Sequence, residues 1–312
     1  DLQDINENLN ENYILVEDIK ATETQNWNNS KGFNPIGKDS ENPFNGNFDG
    51  NGHVIENLYI NRPGRTNVGL FGYIKDSKVE RIGLENVKIE GGFIVGGLVG
   101  RNDSGKVSAS YVRCEKIKGS RVGGLVGYND KGGKITSSHS AGKVNGEYVG
   151  GLVGINYVNS LVKNSYSICR VSGGEQIGSI AGVNRFPEGE INNCFFGENI
   201  SEIDKAIGKN SGTTSNVQAL SPKEMENISI FQNAGWDITD IKPTDDRKSD
   251  YTWNMVDSFN YPLLNWEVKN QNEPRKYFEE NSTWIGTILV GIIAAIMILG
   301  FSLKAGKESK QK

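Results

Sequence analysis

Val95-Gly-Gly-Leu-Val-Gly100, Val122-Gly-Gly-Leu-Val-Gly127 and Val149-Gly-Gly-Leu-Val-Gly154 are three copies of one phrase. Val68-Gly-Leu-Phe-Gly72 comes before them and Ile177-Gly-Ser-Ile-Ala-Gly182 after. The closing glycines stand 28, 27, 27 and 28 residues apart. A fixed period of this length marks a solenoid, in which each unit buries its apolar face only against its neighbours. Gly69, Gly72, Gly96, Gly97, Gly100, Gly123, Gly124, Gly127, Gly150, Gly151, Gly154, Gly178 and Gly182 are therefore read as structural residues. A chain that turns sharply between short strands uses glycine because it adopts positive φ without penalty and lets backbones approach closely.

Two further phrases accompany each copy. One begins at Val79, Val107, Ile135, Val162 and Ile191; the other reads Ile89-Glu-Gly91, Ile117-Lys-Gly119, Val144-Asn-Gly146 and Val171-Ser-Gly173. Three short strand-like phrases per unit, parted by Gly, Asn, Ser or Asp, describe one coil of a parallel β-helix. The expected fold is all-β: a β-solenoid of about 27 residues and three strands per coil, with a C-terminal transmembrane α-helix. Seven or eight coils are expected, counting the ends. Like residues then stack above like. One column reads Gly83, Tyr111, His139, Tyr166, Phe195, which predicts an aromatic stack from its second member on. A leucine-rich repeat has a similar length, but its L-x-x-L-x-L ladder is absent.

The period divides the chain. Residues 1–20 read as an N-terminal cap, with Leu2, Ile5 and Leu9 at helical spacing before a strand at 13–16. Residues 21–67 read as irregular first coils, with a loop at 21–43 and two strands around a glycine-rich turn in 44–55. The five repeats fill 68–200. Residues 201–266 hold Phe231, Trp236, Trp253, Tyr261 and Trp266. They are read as a cap on the last coil, with a carbohydrate-stacking platform as the rival reading. Residues 267–283 read as a polar stalk.

Residues 284–303 (WIGTILVGIIAAIMILGFSL) contain no charge, and Lys304, Lys307, Lys310 and Lys312 follow. A helix of this length spans about 30 Å, the thickness of the hydrocarbon core. The lysines place 304–312 in the cytoplasm and the rest of the chain outside, at the cell surface. A buried core helix is the rival reading. Asp1 rather than Met begins the sequence, consistent with a removed signal peptide or a trimmed chain.

Composition excludes several functions. Glycine is 39 of 312 residues, without the Gly-X-Y period of collagen. The net charge is −4 and no basic stripe offers itself to phosphates, so no nucleic-acid partner is expected. The two histidines, His53 and His139, are too few for a His-rich metal site, and no cofactor is expected. Asp49-Gly-Asn-Gly52 lacks the later ligands of a calcium loop and reads as a tight turn. The acidic residues are scattered, so no catalytic residue is named, and His139 reads as a stacked ring rather than a base. Cys114 and Cys169 fall in one column with Gly142 between them. Their expected separation of about 9–10 Å exceeds disulfide reach, so they are expected to be unbonded. Asn28, Asn102, Asn199, Asn227 and Asn281 each begin an N-x-S/T sequon and are candidate glycan acceptors.

The repeated phrase resembles the GLUG motif. FNGNFDGNGHVIENLYI at 44–60 resembles the segment that commonly precedes it, and Gly-Trp-Asp237 with Tyr-Pro-Leu-Leu-Asn-Trp266 is similar to the tail that often closes such domains. The resemblance implies an extracellular protein of bacteria or archaea. It implies no activity, because GLUG segments are accessory to the catalytic part of some IgA-cleaving metallopeptidases. The chain has no His-Glu-x-x-His, the zinc motif of those enzymes. The expected role is a structural or adhesive ectodomain, with glycans or other cell-surface proteins as partners. A carbohydrate-binding module is the alternative, and a polysaccharide lyase or hydrolase comes third.

Overall fold

The computed structural model describes residues 2–185, 188–198, 200–201, 203, 205–242, 250–256 and 260–267. The stalk beyond residue 267, the apolar span 284–303 and the basic tail 304–312 lie outside the described residues. Among the described residues no helix is long and apolar enough to cross a membrane.

One turn of the chain is Ile94–Gly96, Val99–Asp103, Lys106–Ser108 and Tyr111–Lys118. Each strand pairs in parallel with its counterpart one repeat later. Val99 meets Val126, Val107 meets Ile135, Tyr111 meets His139, and the pairing continues to Val153, Val162 and Tyr166. The result is an all-β parallel solenoid of about six turns. A six-stranded sheet forms one face, and a 16-stranded sheet wraps the others and adds part-turns at the ends.

A turn holds four strand segments, not the three expected. The reason lies inside the repeated phrase. Arg121–Gly123 ends one strand and Val126–Asp130 begins the next, so VGGLVG is a corner rather than a strand. A Cβ at Gly96, Gly123 or Gly150 would lie 2.0, 1.9 or 1.9 Å from the carbonyl oxygen three residues on. None of the repeat glycines has a positive φ. Glycine is required here for close approach alone, and the expectation of positive φ at these positions is corrected. Left-handed residues recur instead at a second corner, as Arg81, Ala109, Ser137, Asn164 and Asn193.

Leu70, Leu98, Leu125, Leu152 and Ile180 fill one interior column; Val79, Val107, Ile135, Val162 and Ile191 fill another, all without solvent exposure. Burying each of these side chains contributes about 1.5–3 kcal/mol. Two polar ladders share the interior. Asn102 Nδ2 donates to Asn129 Oδ1 at 2.8 Å, Asn129 to Asn156 at 2.9 Å, Asn156 to Asn184 at 3.0 Å and Asn184 to Asn210 at 3.0 Å. The same amides donate to the carbonyls of Gly105, Gly133, Ser160 and Thr213, tying down the adjoining turn. At the left-handed corner, Ser110, Ser138 and Ser165 Oγ accept the backbone N–H of Ile82, Ser110 and Ser138. Each serine also donates to the carbonyl two residues earlier in its own turn.

The ends depart from expectation in detail. Leu2–Glu7 is a 3-10 helix with Ile5 buried, and Tyr13–Ile14 pairs with Phe48 and Asp49. The segment read as a loop contributes buried Phe33 and Ile36 to the core. Asn47–Glu56 is one strand with a shifted register around left-handed Asn51 and Gly52, rather than two strands. At the far end Ile207–Asn210 and Thr213–Leu220 add another layer, so the solenoid extends past the expected boundary at 200. Helix α1 (Pro222–Met225), helix α2 (Ile228–Asn233) and a small sheet of Ile238–Ile241, Trp253–Val256 and Leu263–Leu264 follow.

Asn156→Ala removes a donor to Ser160 and the partner of two ladder neighbours. It should cost about 2–3 kcal/mol, read from urea midpoints, because the orphaned groups remain buried. Asn145→Ala, at an exposed pair with Ser172, should change stability by about 0.5 kcal/mol or less.

Candidate functional site

The aromatic column stacks from Tyr111 to Tyr166, with Phe195 next in register. The Tyr111 and His139 rings stack at 5.0 Å and 7°, and His139 and Tyr166 at 4.7 Å and 4°. A Cβ at Gly83 would lie 2.6 Å from the Tyr111 ring, so glycine makes room for the first member. These rings stand outside the core cluster that Val112 and Cys114 join. They are nevertheless buried, because the C-terminal segment covers them.

That cover corrects the reading of 201–266 as an end cap. From residue 221 the chain returns along the flank of the solenoid as a strap. Phe231 and Trp236 pack on Phe195. Trp253 meets both Tyr166 and His139, and Tyr261 meets Tyr166. Trp266 stacks on Tyr111 at 5.4 Å and donates from Nε1 to the Ala109 carbonyl at 3.0 Å. Tyr166 Oη donates to the Pro262 carbonyl at 2.8 Å. Phe231, Trp236, Trp253, Tyr261 and Trp266 are buried against this column, so these five form no exposed platform for a sugar.

A charged cluster lies beneath the end of the strap. Arg113 pairs with Glu267 and, at 3.2 Å, with Glu85. Tyr111 Oη donates to Glu85 at 2.5 Å, and the Arg113 guanidinium lies 4.6 Å from the Tyr111 ring centroid. His139 Nε2 is 3.0 Å from Glu267 Oε2, and the other oxygen partners Arg113. The Leu264 N–H donates to Glu267 as well. Glu267 was read as the first residue of a polar stalk; its side chain is 3 % exposed and belongs to the strap. Burial pushes its carboxyl upward, but Arg113 and then His139 outweigh that and hold it at about 2. Burial pushes His139 below its usual value despite the carboxylate, so its neutral form donates from Nε2.

An imidazole oriented by a carboxylate is the material of acid–base catalysis. Here the imidazole is 1 % exposed, its Nε2 is taken up by Glu267, and its Nδ1 has no partner. A substrate would reach it only if the strap lifted. The geometry is that of a latch between the strap and the strand column of Tyr111 and His139 on the solenoid.

The other sequence candidates are separate from this cluster. Asn102 is fully buried in the asparagine ladder, which leaves no room for a glycan, so that acceptor is withdrawn. Asn28 and Asn227 lie at the exposed surface. Asn199 and Asn281 lie outside the described residues. Asp49 accepts the Asn51 N–H and pairs with Arg81, as a tight-turn residue does. Cys114, Gly142 and Cys169 occupy successive layers, and all three cysteines are free and buried. Among the described residues no group of three His, Cys, Asp or Glu side chains is arranged to hold a metal ion. Trp27, Phe93 and Tyr251 are exposed aromatics.

The family model described as the GLUG motif matches residues 118–145. Those residues contain Val122–Gly127, and the flanking copies pair with it strand by strand. The repeat is a GLUG repeat. Halomucin of Haloquadratum walsbyi (strain DSM 16790 / HBSQ001) is 40% identical over 108 residues, 33% of this chain, and the chain spans about 1% of that relative's length. A crystal structure from Bacteroides ovatus, provisionally assigned as an immunoglobulin A1 protease, superposes with a TM-score of 0.53 at 17% identity. It covers 85% of this chain and 90% of that one. At this identity the likeness concerns the fold. A second structure, an IgA1 protease, gives a TM-score of 0.46 at 19% identity over 70% of this chain and 19% of that one.

Glu267→Gln tests the latch. It leaves Arg113 buried with one carboxylate and should cost about 3–5 kcal/mol at pH 7, read from the denaturant midpoint of tryptophan fluorescence. The folded carboxyl near 2 lies below its ordinary 4.5. Its contribution is therefore complete above 4.5 and lost as pH falls through the folded value. The wild type should lose its advantage over Glu267→Gln across that window.

Proposed function

We propose that this GLUG solenoid is a cell-surface ectodomain with a structural or adhesive role. In this reading residues 284–303 hold it in the membrane, with 304–312 in the cytoplasm. The observation that carries the proposal is the fate of the Glu85–Arg113–His139–Glu267 cluster. The described residues converge acid, base and cation there, and the strap seals them with their charges paired to one another. The chain's ordered polar chemistry maintains shape. That suits a rod which displays a surface better than an enzyme which turns over a substrate. The halomucin relative supports a place at the cell surface, and the apolar span with its lysine flank supports the anchor.

Binding of carbohydrate is the second reading. The aromatics first considered for it belong to the strap and are buried against the solenoid, and Trp27, 41% exposed, replaces them.

Membrane fractionation of the native host tests the main proposal. The full chain should remain with membranes after alkaline carbonate washing, and protease added to intact cells should remove residues before 284. A chain ending at residue 283 should be released to the medium. Recovery of the full chain in the cytosol, protected from external protease, would overturn the proposal.

A further inference from the structure

The segment Trp27–Gly32 breaks the rules that the repeats obey. Asn28, Asn29 and Ser30 all have left-handed backbones, with φ of 55°, 56° and 60°, and Gly32 follows at 76°. Asparagine tolerates this region singly; three such residues in succession, one of them serine, are strained. The surroundings hold the strain in place. Gly32 N–H donates to the Trp27 carbonyl at 3.1 Å, and Asn28 Nδ2 donates to the Gly32 carbonyl at 2.8 Å. Arg62 donates from Nη2 to Gly32 and from Nε to Phe33. A Cβ at Gly32 would lie 2.2 Å from the Tyr59 carbonyl oxygen, so the turn is seated tightly on the next layer.

This turn presents Trp27. The other described tryptophans, Trp236, Trp253 and Trp266, are at most 5% exposed, while Trp27 is 41% exposed. It stands at the wall of an open groove of about 640 Å³, in the size range of small-ligand sites. Asp4 and Glu7 from the N-terminal 3-10 helix, Asn28 and Arg62 also line it. The groove's base is fixed: Gln3 and Asn34 exchange two hydrogen bonds of 2.9 Å, and Asn6 Oδ1 accepts the Gly37 N–H. Arg65 holds the Asn34 side chain at 2.6 Å. A ligand therefore meets a preorganised surface, and little ordering opposes binding.

We propose that this groove binds a neutral pyranose ring of a glycan, with Trp27 as its stacking platform. The inference rests on the carbohydrate reading above and names its site. The C–H face of a pyranose presents weakly positive hydrogens to the negative face of an indole. Its hydroxyls donate to carboxylates and amide oxygens, which Asp4, Glu7 and Asn28 supply. Arg62 and Arg65 are already committed to backbone carbonyls and Asn34, so the Asp4 and Glu7 carboxylates of the lining disfavour an anionic sugar and a nucleic-acid phosphate alike. The backbone strain has a role in this account: it holds the indole at the surface, whereas the other described tryptophans are buried between strap and solenoid. Asn28 also begins a sequon, and a glycan attached there would lie at the groove, so the test uses protein made without N-glycosylation.

The full chain, in a detergent that contains no sugar, is applied to an array of neutral and anionic oligosaccharides. Binding is then titrated by affinity electrophoresis for wild type, Trp27→Ala, Trp27→Phe and Phe93→Ala. At least one neutral glycan should bind saturably. Trp27→Ala should weaken it about tenfold or more, as loss of an aromatic anchor does. Trp27→Phe should fall between, and Phe93→Ala should match wild type. Trp27→Phe keeps the test decisive if the alanine variant unfolds. Binding of a neutral glycan that survives both Trp27 substitutions would overturn the groove and leave the carbohydrate reading standing. Binding of anionic glycans alone, or of none, would overturn the groove's assignment to neutral sugars; the absence of any binding would remove the carbohydrate reading too.

Discussion

Parallel stacking in register, one strand spacing per turn, is the constraint on which the structure depends. Each residue sits about 4.8 Å from its own counterpart, so any side chain in a column must tolerate a copy of itself. Asparagine does, because an amide is donor at one end and acceptor at the other. Asn102, Asn129, Asn156, Asn184 and Asn210 can then pass hydrogen bonds along the axis without a mismatched member. Serine does so at the second corner, where Oγ accepts from one layer and donates within its own. Charge is tolerated only on the outside, where water screens it: Lys78, Lys106 and Lys134 share one outer column, Lys118 faces and pairs with Glu90, and Lys88 reaches Glu115 beside its register partner Lys116. Arg101 lies between the Tyr73 and Tyr128 rings.

The same constraint explains the strap. A column of stacked rings on the outside of a solenoid is an apolar stripe, and left in water it would invite association. The strap covers it with tryptophan, phenylalanine and tyrosine, from Phe195 back to Tyr111. Aromatic packing alone sets no unique position along so uniform a stripe. The ion pairs of Glu267 do, since Arg113 and His139 occur in single layers: the equivalent positions one turn later are Ala141 and Tyr166. Buried ion pairs give little net stability against an apolar alternative, because desolvation opposes the Coulomb gain. Their contribution here is to fix where the strap ends.

The repeats were legible because the period repeats every error and every signal alike. Spacing located the strands, the columns predicted the Tyr111–His139–Tyr166 stack, and the layer of Gly142 between Cys114 and Cys169 was placed correctly. The asparagine ladder was legible too, in Asn102, Asn129, Asn156 and Asn184 at 27- and 28-residue intervals, but Asn102 was read as a sequon instead. What spacing does not carry is direction. VGGLVG looks like a strand, and only the clash distances of its glycines show a corner. Aromatics clustered after the last repeat suggest a cap. Nothing local in Trp253 or Trp266 says that they turn back along the flank, because their partners on the solenoid, Tyr166, His139 and Tyr111, are far earlier in the chain. Glu267 was missed for the same reason: its neighbours in sequence are polar, and its charge partners are on the solenoid.

Periodicity also limits where recognition chemistry can arise. A residue inside the array is answered by its neighbours above and below, which take up its hydrogen bonds and cover its rings. Tyr111, His139 and Arg113 illustrate this, since each is a ligand contact by type and each is buried and held by Glu85 or Glu267. Distinct chemistry is available where the period fails, at the ends and in the turns that differ from their counterparts. The first layer is such a place. Its connection from Trp27 to Gly32 places three successive non-glycine residues in the left-handed region, which no repeat does, and it exposes an indole. A solenoid built this way separates its tasks. The array provides length and rigidity, the strap closes its apolar flank, and the irregular end is left to meet other molecules.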